Sequence, residues 1–273
     1  MSTPTANATA PLRVTVWHEY RHEHISDTVR KLYPDGMHAV MADAIREQTE
    51  AHFGRPVEIT TATLDQDENH GLSDELIENT DVMTWWGHAA HGDVSERIAH
   101  KVAERVRAGM GLVVLHSSHY SKPFKILTGT GCRVKWREAG EKERMWIVKP
   151  GHPLTAGIEK DHIEIPHTEM YGEPFDIPEP DELVFVSWFE GGEVFRSGCV
   201  FKRGAGTIVY LRPGHETFPI YHQPEIRRVL ANAVHFCAPV PGAHPYREDS
   251  PNITEPLEPI KSSHEVDASL HDH

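Results

Sequence analysis

The sequence predicts an α/β fold, with a mostly parallel sheet, helices on both faces and a strand-rich region added at one edge. Three observations lead there. Short apolar, β-branched runs alternate with segments whose apolar residues recur at helical spacing. The pattern changes between Arg133 and Phe201, where strand-like runs follow one another across Pro-rich connections. A core-type strand and a helix then return near the C-terminus.

Leu12 to Trp17 is a buried-strand pattern, and Met37, Val40, Met41, Ala44 and Ile45 make one helical stripe. Strands are expected at Val57 to Thr63 and Asp81 to Trp86, then a helix carrying Val94, Ile98, Val102 and Val106 that stops at Gly109. Gly111 to Leu115 reads as another buried strand. Within the changed region, strand-like runs lie near Met145 to Val148, Leu183 to Trp188 and Gly192 to Phe201, read as an insertion or an antiparallel extension of the sheet. Thr207 to Leu211 returns to the core, and Pro224 opens a helix with Ile226, Val229, Leu230, Ala233 and Val234 on its buried face. No internal repeat is visible. The expected organisation is one domain over residues 11–239, a disordered leader over 1–10 and a polar tail over 240–273.

A chain of 273 residues can bury a large core. Its 27 Lys and Arg against 41 Asp and Glu, a formal charge of -14, exclude a nucleic-acid partner, which needs a basic surface. Nothing is apolar enough to span a membrane, and the N-terminus lacks the basic and apolar regions of a secretory signal. Three cysteines without CxxC spacing form no disulfide framework, so a cytoplasmic home is expected.

The chemistry is carried by histidine, of which there are 21. Ligands of open α/β sheets bind beyond the carboxyl ends of the strands. Five predicted strand ends deliver imidazole there: His18 to His24, His88 and His91, His116 and His119, His167 before Glu169, and His215 before Glu216. Two chemistries fit. Imidazoles and carboxylates converging in a cleft make a zinc site, for which His88, His116, His167 and His215 are the candidate ligands. Alternatively, imidazole near its ordinary pKa serves as general acid or base on a polyhydroxylated substrate, oriented by Glu19, Glu169 or Glu216. His22, His116, His119, Glu169 and His215 are the candidate catalytic residues; Trp86, His88, Ser117, Tyr120, His167 and Glu216 are the candidates for substrate contact. A lone loop histidine more often caps or faces water; His52, His100 and His235 fall in helices, and His244, His264, His271 and His273 in the tail. Ser117 and Ser118 occupy a strand-to-helix turn but lack the flanking glycines of a nucleophile elbow, so helix capping is their ordinary role. No GxGxxG follows a strand, so no nucleotide cofactor is expected.

Long, ordered stretches of the chain carry a resemblance: VTVWHEYRHE, ATLDQDENHGL, TDVMTWWGHAAH, GMGLVVLHSSHYSKPF, KWREAGEKERMWIVKPGHPLTAGI, HTEMYGEPFDIPEPDELVFVSWFEGGEVFRSGC and RPGHETFPIYH. From about Leu12 to Pro239 the sequence resembles the trehalose-utilisation (ThuA-like) proteins. The resemblance implies a flavodoxin-like core related to class I glutamine amidotransferases, and a role in the use of trehalose and similar disaccharides. It also implies 3-keto sugars as intermediates and a nicotinamide-dependent oxidoreductase as partner, with self-association into a homo-oligomer left open. Amidotransferase activity is not implied, because the turn that would hold the cysteine reads His116-Ser117-Ser118-His119. Where related proteins often carry Trp-Asn-Glu, this chain has Trp17-His18-Glu19. The combined expectation is an enzyme acting on a disaccharide or 3-keto-disaccharide through a His-rich site, with a non-catalytic sugar-binding subunit of an oxidoreductase as the alternative.

Overall fold

The first strand, β1 (Leu12–His18), alternates Val14 and Val16 toward one face of the sheet and Trp17 toward the other. The computed structural model describes residues 10–240 together with 256 and 258–261, so most of the expected leader and tail lie outside the described residues. Two short helices follow, α1 (His22–Ile25) and α2 (Asp27–Leu32), and then α3 (Met37–His52) and β2 (Val57–Thr63). Next come α4 (Asp74–Asn79), β3 (Val82–Trp86), α5 (Glu96–Arg107), β4 (Gly111–Leu115) and α6 (Lys122–Thr128). The antiparallel part comprises β5 (Lys135–Ile147), β6 (His162–Gly172), β7 (Glu182–Phe189) and β8 (Val194–Arg203). The chain then closes with β9 (Gly206–Leu211) and α7 (Pro224–Cys237).

All nine strands form one sheet in the order β2-β1-β3-β4-β9-β8-β7-β5-β6. The first five in that order pair in parallel and reproduce the 2-1-3-4-5 winding of flavodoxin-like proteins. From β9 onward every pairing is antiparallel. This is the flavodoxin-like core with a strand-rich extension that the sequence predicts. Helices α3 and α7 cover one face, whose core includes Val14, Val16, Val113, Leu115, Val209 and Leu211. Helices α4, α5 and α6 cover the other, over Trp17, Trp85, Leu112, Val114, Ile208 and Tyr210.

Local chemistry explains the boundaries. Ser95 caps α5 by accepting the Ile98 amide, and Ile98, Val102 and Val106 bury its apolar stripe. Gly109 follows with φ 126°, a conformation closed to most side chains, and turns the chain into β4. The serine that begins α6 is Ser121, not Ser117 or Ser118.

The sheet does not stay flat. His116, directly after β4, and Glu169, on β6, lie 3.2 Å apart although their strands are five places apart in the order. At about 4.8 Å per strand a flat sheet would separate them by roughly 24 Å. The antiparallel half therefore curls back over the carboxyl ends of the parallel half. Register shifts in β5 between Arg137 and Glu143 supply the bend. Strand β6 runs without a break from His162 to Gly172, so no strand end occurs before His167.

Helix α5 lies close over β9. A methyl group on Gly206 would collide with the carbonyl oxygen of Val106, and the Met110 carbonyl stands behind it. Gly206→Ala is expected to destabilise the chain by about 1–3 kcal/mol, read as a lowered urea midpoint with unchanged slope.

Candidate active site

Four loops at the carboxyl ends of the parallel strands meet β6 to form the site. After β1, the buried Glu19 carboxylate accepts three backbone amides from the loop after β3, those of His88 (2.7 Å), Ala89 (3.0 Å) and Ala90 (2.9 Å). Charge-assisted bonds of this kind are among the strongest available, and they fix the backbone that carries His88. His18 is buried beneath, its Nδ1 accepting the Tyr20 amide and its ring stacked on Trp86.

After β4 the chain turns at once. His116 has φ 50°, in the left-handed region that costs a non-glycine residue about 1–2 kcal/mol. Its Nδ1–H donates to the carbonyl of Arg212 (2.8 Å), which leaves Nε2 as a lone-pair acceptor facing Glu169. Ser117 donates to the Gly87 carbonyl at 2.8 Å, and Ser118 accepts the Gly87 amide at 2.6 Å. Both hydroxyls thus tie the loops after β3 and β4 together. His119 Nδ1–H donates to the Cys132 carbonyl at 2.6 Å.

After β9 come Arg212, Gly214, His215 and Glu216. Gly214, at φ 144°, has no room for a side chain between Tyr221 and His116, and its carbonyl accepts the Trp86 indole at 2.9 Å. His215 Nδ1 accepts the Thr217 amide at 3.2 Å, so Nε2 carries the ring proton. That Nε2–H points toward Glu138 (3.6 Å) and Glu169 (3.9 Å). Beneath the site, the fully buried Arg212 pairs with the fully buried Glu143 and donates to the Glu169 carbonyl at 2.7 Å. Ser187 donates to the same Glu143 carboxylate.

Burial dominates the electrostatics. It pushes Glu169 up to about 7 and Glu216 up to about 7, against the opposing pull of His88 on the first and His22 on the second. The same burial pushes His116 well below its ordinary range, His119 down to about 4, His91 to about 3 and His215 to about 2. Neutral imidazoles therefore face carboxyl groups that titrate near neutrality, the arrangement from which acid–base pairs are built. Several buried atoms here lack a hydrogen-bond partner: His22 Nδ1, His88 Nδ1, Glu169 Oε2 and Glu216 Oε2. Each such atom costs about 1–3 kcal/mol unless something arrives to meet it.

A cavity of about 510 Å³ opens over these groups, lined among others by His88, Ser117, His119, Tyr120, Glu169 and Tyr171. The structure thus brings His22, His88, His116, His119, Glu169, His215 and Glu216 into one region. His167 is a correction. It is exposed, its Nδ1–H donates to the Gly140 carbonyl at 3.1 Å, and it lies just before the run Thr168–Gly172 where β6 becomes buried on both faces. Trp86 is a second correction. Completely buried under His18, it offers no face to a substrate. The exposed aromatics at the cavity are Tyr120 and Trp136, the latter 65% exposed. Sequence reasoning missed Trp136, Arg133 and Glu138, which lie on the extension and reach the cavity only because the sheet curls. It missed Glu143 as well, for which the one available signal is a Glu at an inward position of an alternating strand.

Fold and site together define a flavodoxin-like α/β protein with a histidine- and carboxylate-lined pocket at the carboxyl ends of its strands. The chain belongs to the trehalose-utilisation (ThuA) family, whose sequence profile matches residues 13–237. No curated protein matches it in sequence. Among solved structures it is similar to a ThuA-like protein from Parabacteroides merdae, with 12% identity, TM-score 0.59, and coverage of 87% of this chain and 98% of that one. It is also similar to a ThuA-like protein from Bacteroides uniformis (15% identity, TM-score 0.57, 85% and 94% covered). A cytoplasmic protein from Salmonella typhimurium is a third (13% identity, TM-score 0.54, 84% and 100% covered). At these identities the likeness is one of fold. Among the described residues no helix is long and apolar enough to cross a membrane.

Two predictions follow from the buried charges. Arg212→Leu leaves Glu143 buried without its counter-charge and is expected to cost about 3–5 kcal/mol in urea unfolding. Glu169, raised to about 7 when folded, binds its proton more tightly in the folded than in the unfolded chain. Its stabilising contribution is full below an unfolded pKa of about 4.3 and lost as the pH rises through about 7. Glu169→Gln, in chelator-treated protein, is therefore expected to melt several degrees above the parent at pH 8 and close to it at pH 5.

Proposed function

We propose that this chain is an enzyme of disaccharide utilisation that moves protons on a disaccharide or 3-keto-disaccharide held in the cavity. The observation that supports it most is the position of Glu169. Its Oε2 stands 3.2 Å from the lone-pair nitrogen of His116 and 3.9 Å from the proton-bearing nitrogen of His215, at the wall of the cavity. A carboxyl that titrates near neutrality, between an acceptor and a donor, can take up and return a proton at working pH. Glu169 is the group that takes up and returns the proton, His116 Nε2 the lone pair that accepts a hydrogen bond from its carboxyl, and His215 Nε2–H the hydrogen-bond donor to a substrate oxygen. Such a set serves proton removal beside a keto group or protonation of a glycosidic oxygen, so hydrolysis and isomerisation draw on the same residues.

The sugar class is supported by the family and by the walls of the cavity. Tyr120 and Trp136 offer aromatic faces to the C–H side of a sugar ring, and Arg133 and Glu138 offer polar groups to its hydroxyls. The volume of about 510 Å³ falls within the range of about 300–1,000 Å³ usual for small-molecule sites. A 3-keto substrate must be supplied by an oxidation at carbon, the work of a nicotinamide-dependent oxidoreductase partner. A divalent ion, zinc in the first instance, completes the proposed site.

The test is conversion of trehalose and of its 3-keto derivative by the purified chain, followed by nuclear magnetic resonance. His116→Ala and Glu169→Gln are each expected to lower turnover by about 100- to 10,000-fold with the circular dichroism spectrum unchanged. Turnover that survives in both variants would sink the proposal. Binding without any conversion by the parent chain would instead favour a sugar-binding subunit of an oxidoreductase.

A further inference from the structure

We propose that His22, His88 and Glu216 bind one first-row divalent transition-metal ion, beside the proton-transfer residues and distinct from them. The inference deepens the reading of the same cavity, but its test needs no turnover.

Two groups of three residues at this edge of the sheet place ligand atoms within 4.8 Å of one another: His22, His88 and Glu216, and His116, Glu169 and His215. Hydrogen bonding separates their chemistries. In the second group the ring nitrogens are already assigned. His116 gives its Nδ1 proton to the Arg212 carbonyl, and His215 accepts the Thr217 amide at Nδ1. The His215 nitrogen that faces Glu169 therefore carries hydrogen, and a nitrogen that carries hydrogen cannot ligate a metal.

The first group has no such internal solution. His22 Nδ1, His88 Nδ1 and Glu216 Oε2 are all buried without a hydrogen-bond partner, and Glu216 is 4% exposed. Among the described residues no Lys or Arg pairs with Glu216; its neighbours within 4 Å are the imidazoles of His22 and His215. Two imidazoles and a carboxyl group without a Lys or Arg partner thus converge on one point with buried atoms that nothing meets. A cation held by one ligand atom of each residue is the partner this cluster lacks, with His22 Nε2 the ring nitrogen that faces Glu216.

The geometry is close to what an ion would require. Metal–ligand bonds of about 2.0–2.1 Å at tetrahedral angles hold ligand atoms about 3.3 Å apart. His22 Nε2 and Glu216 Oε1 stand 3.6 Å apart. The loop that carries His88 is fixed by the Glu19 carboxylate through three amides, the kind of outer support that metal ligands usually have. His22 packs edge-on against both His88 and Trp86. The two-imidazole, one-carboxylate set favours zinc, iron(II), cobalt or manganese over magnesium or calcium, which prefer oxygen. Because His88 also lines the cavity, an ion held there would lie beside a substrate in the cavity. There the ion supplies a Lewis acid for a sugar oxygen or an activated water.

This differs from the ligand set expected from sequence. Of His88, His116, His167 and His215, only His88 remains a ligand; His116 and His215 serve proton transfer, and His167 faces solvent.

The experiment is zinc titration of the full, untagged, chelator-stripped chain by calorimetry, repeated with cobalt to record the absorption bands of the bound ion. One ion per chain is expected at a site that His22→Ala, His88→Ala and Glu216→Gln each weaken by more than about 100-fold. His116→Ala is expected to keep it with its cobalt spectrum intact. His22 is partly exposed, so His22→Ala keeps the test open should a deeper substitution fail to fold. The proposal is overturned if neither zinc nor cobalt binds with the three residues intact. It is equally overturned if the tight ion persists in the folded His22→Ala and His88→Ala variants, or if His116→Ala loses it as completely as they do. Tight metal binding without conversion of any sugar would keep this inference and remove the proposed reaction.

Discussion

Arg212 is the residue on which the two halves of this protein agree. It sits where the last parallel strand ends, with none of its surface in water. Its guanidinium reaches the extension at three points: the Glu143 carboxylate on β5, and the Thr168 hydroxyl and Glu169 carbonyl on β6. Its own carbonyl takes the proton of His116 on the parallel side. A single side chain thus sets the position of the carboxyl group and a single backbone oxygen sets the tautomer of the imidazole opposite it. Replacing a buried pair by apolar residues is often harmless to stability, so its persistence here makes sense as registry. It holds a curled sheet to one curvature.

The electrostatic character of the site follows from that closure. Folding the extension over the strand ends buries His116, His215, Glu169 and Glu216. His116 and His215 lose affinity for protons, and Glu169 and Glu216 gain it. Groups whose ordinary values lie about two units apart are thereby inverted in order, with the acids above the bases. Glu19, buried as deeply, is met instead by three backbone amides.

Much of this was legible in the sequence, and the division has a physical basis. The parallel core reads well because each strand is a short apolar run beside a helix with its own stripe, so local pattern and global packing coincide. For the same reason the strand ends could be found, and with them His22, His88, His116, His119, His215 and Glu216. The extension reads poorly. The stretch Lys135–Ile147 is mostly charged, and its exposed, bulged strand carries little apolar period. His167 reads as a strand-end residue, whereas β6 continues through Pro166 to Gly172. Trp86 looked available because a strand end was taken for a surface, whereas the loops after β1 and β9 close over it. The pairing of ligands was beyond reach. Sequence spacing says which histidines share an edge, but only the hydrogen bonds to Arg212 and Thr217 say which nitrogen of each is free.

The curl of the sheet bears on descent. Both hydrophobic layers of the doubly wound core run on into the extension, so the two share one interior. Glu169 is borrowed from the outermost strand of an appendage, and Trp136, Arg133 and Glu138 come with it. A lineage that trimmed the appendage would retain the histidines and lose the acid between them. Differences in the site between such proteins should therefore be sought first in the curled hairpin of β5 and β6, which carries Glu169, rather than in the parallel strands that display the imidazoles.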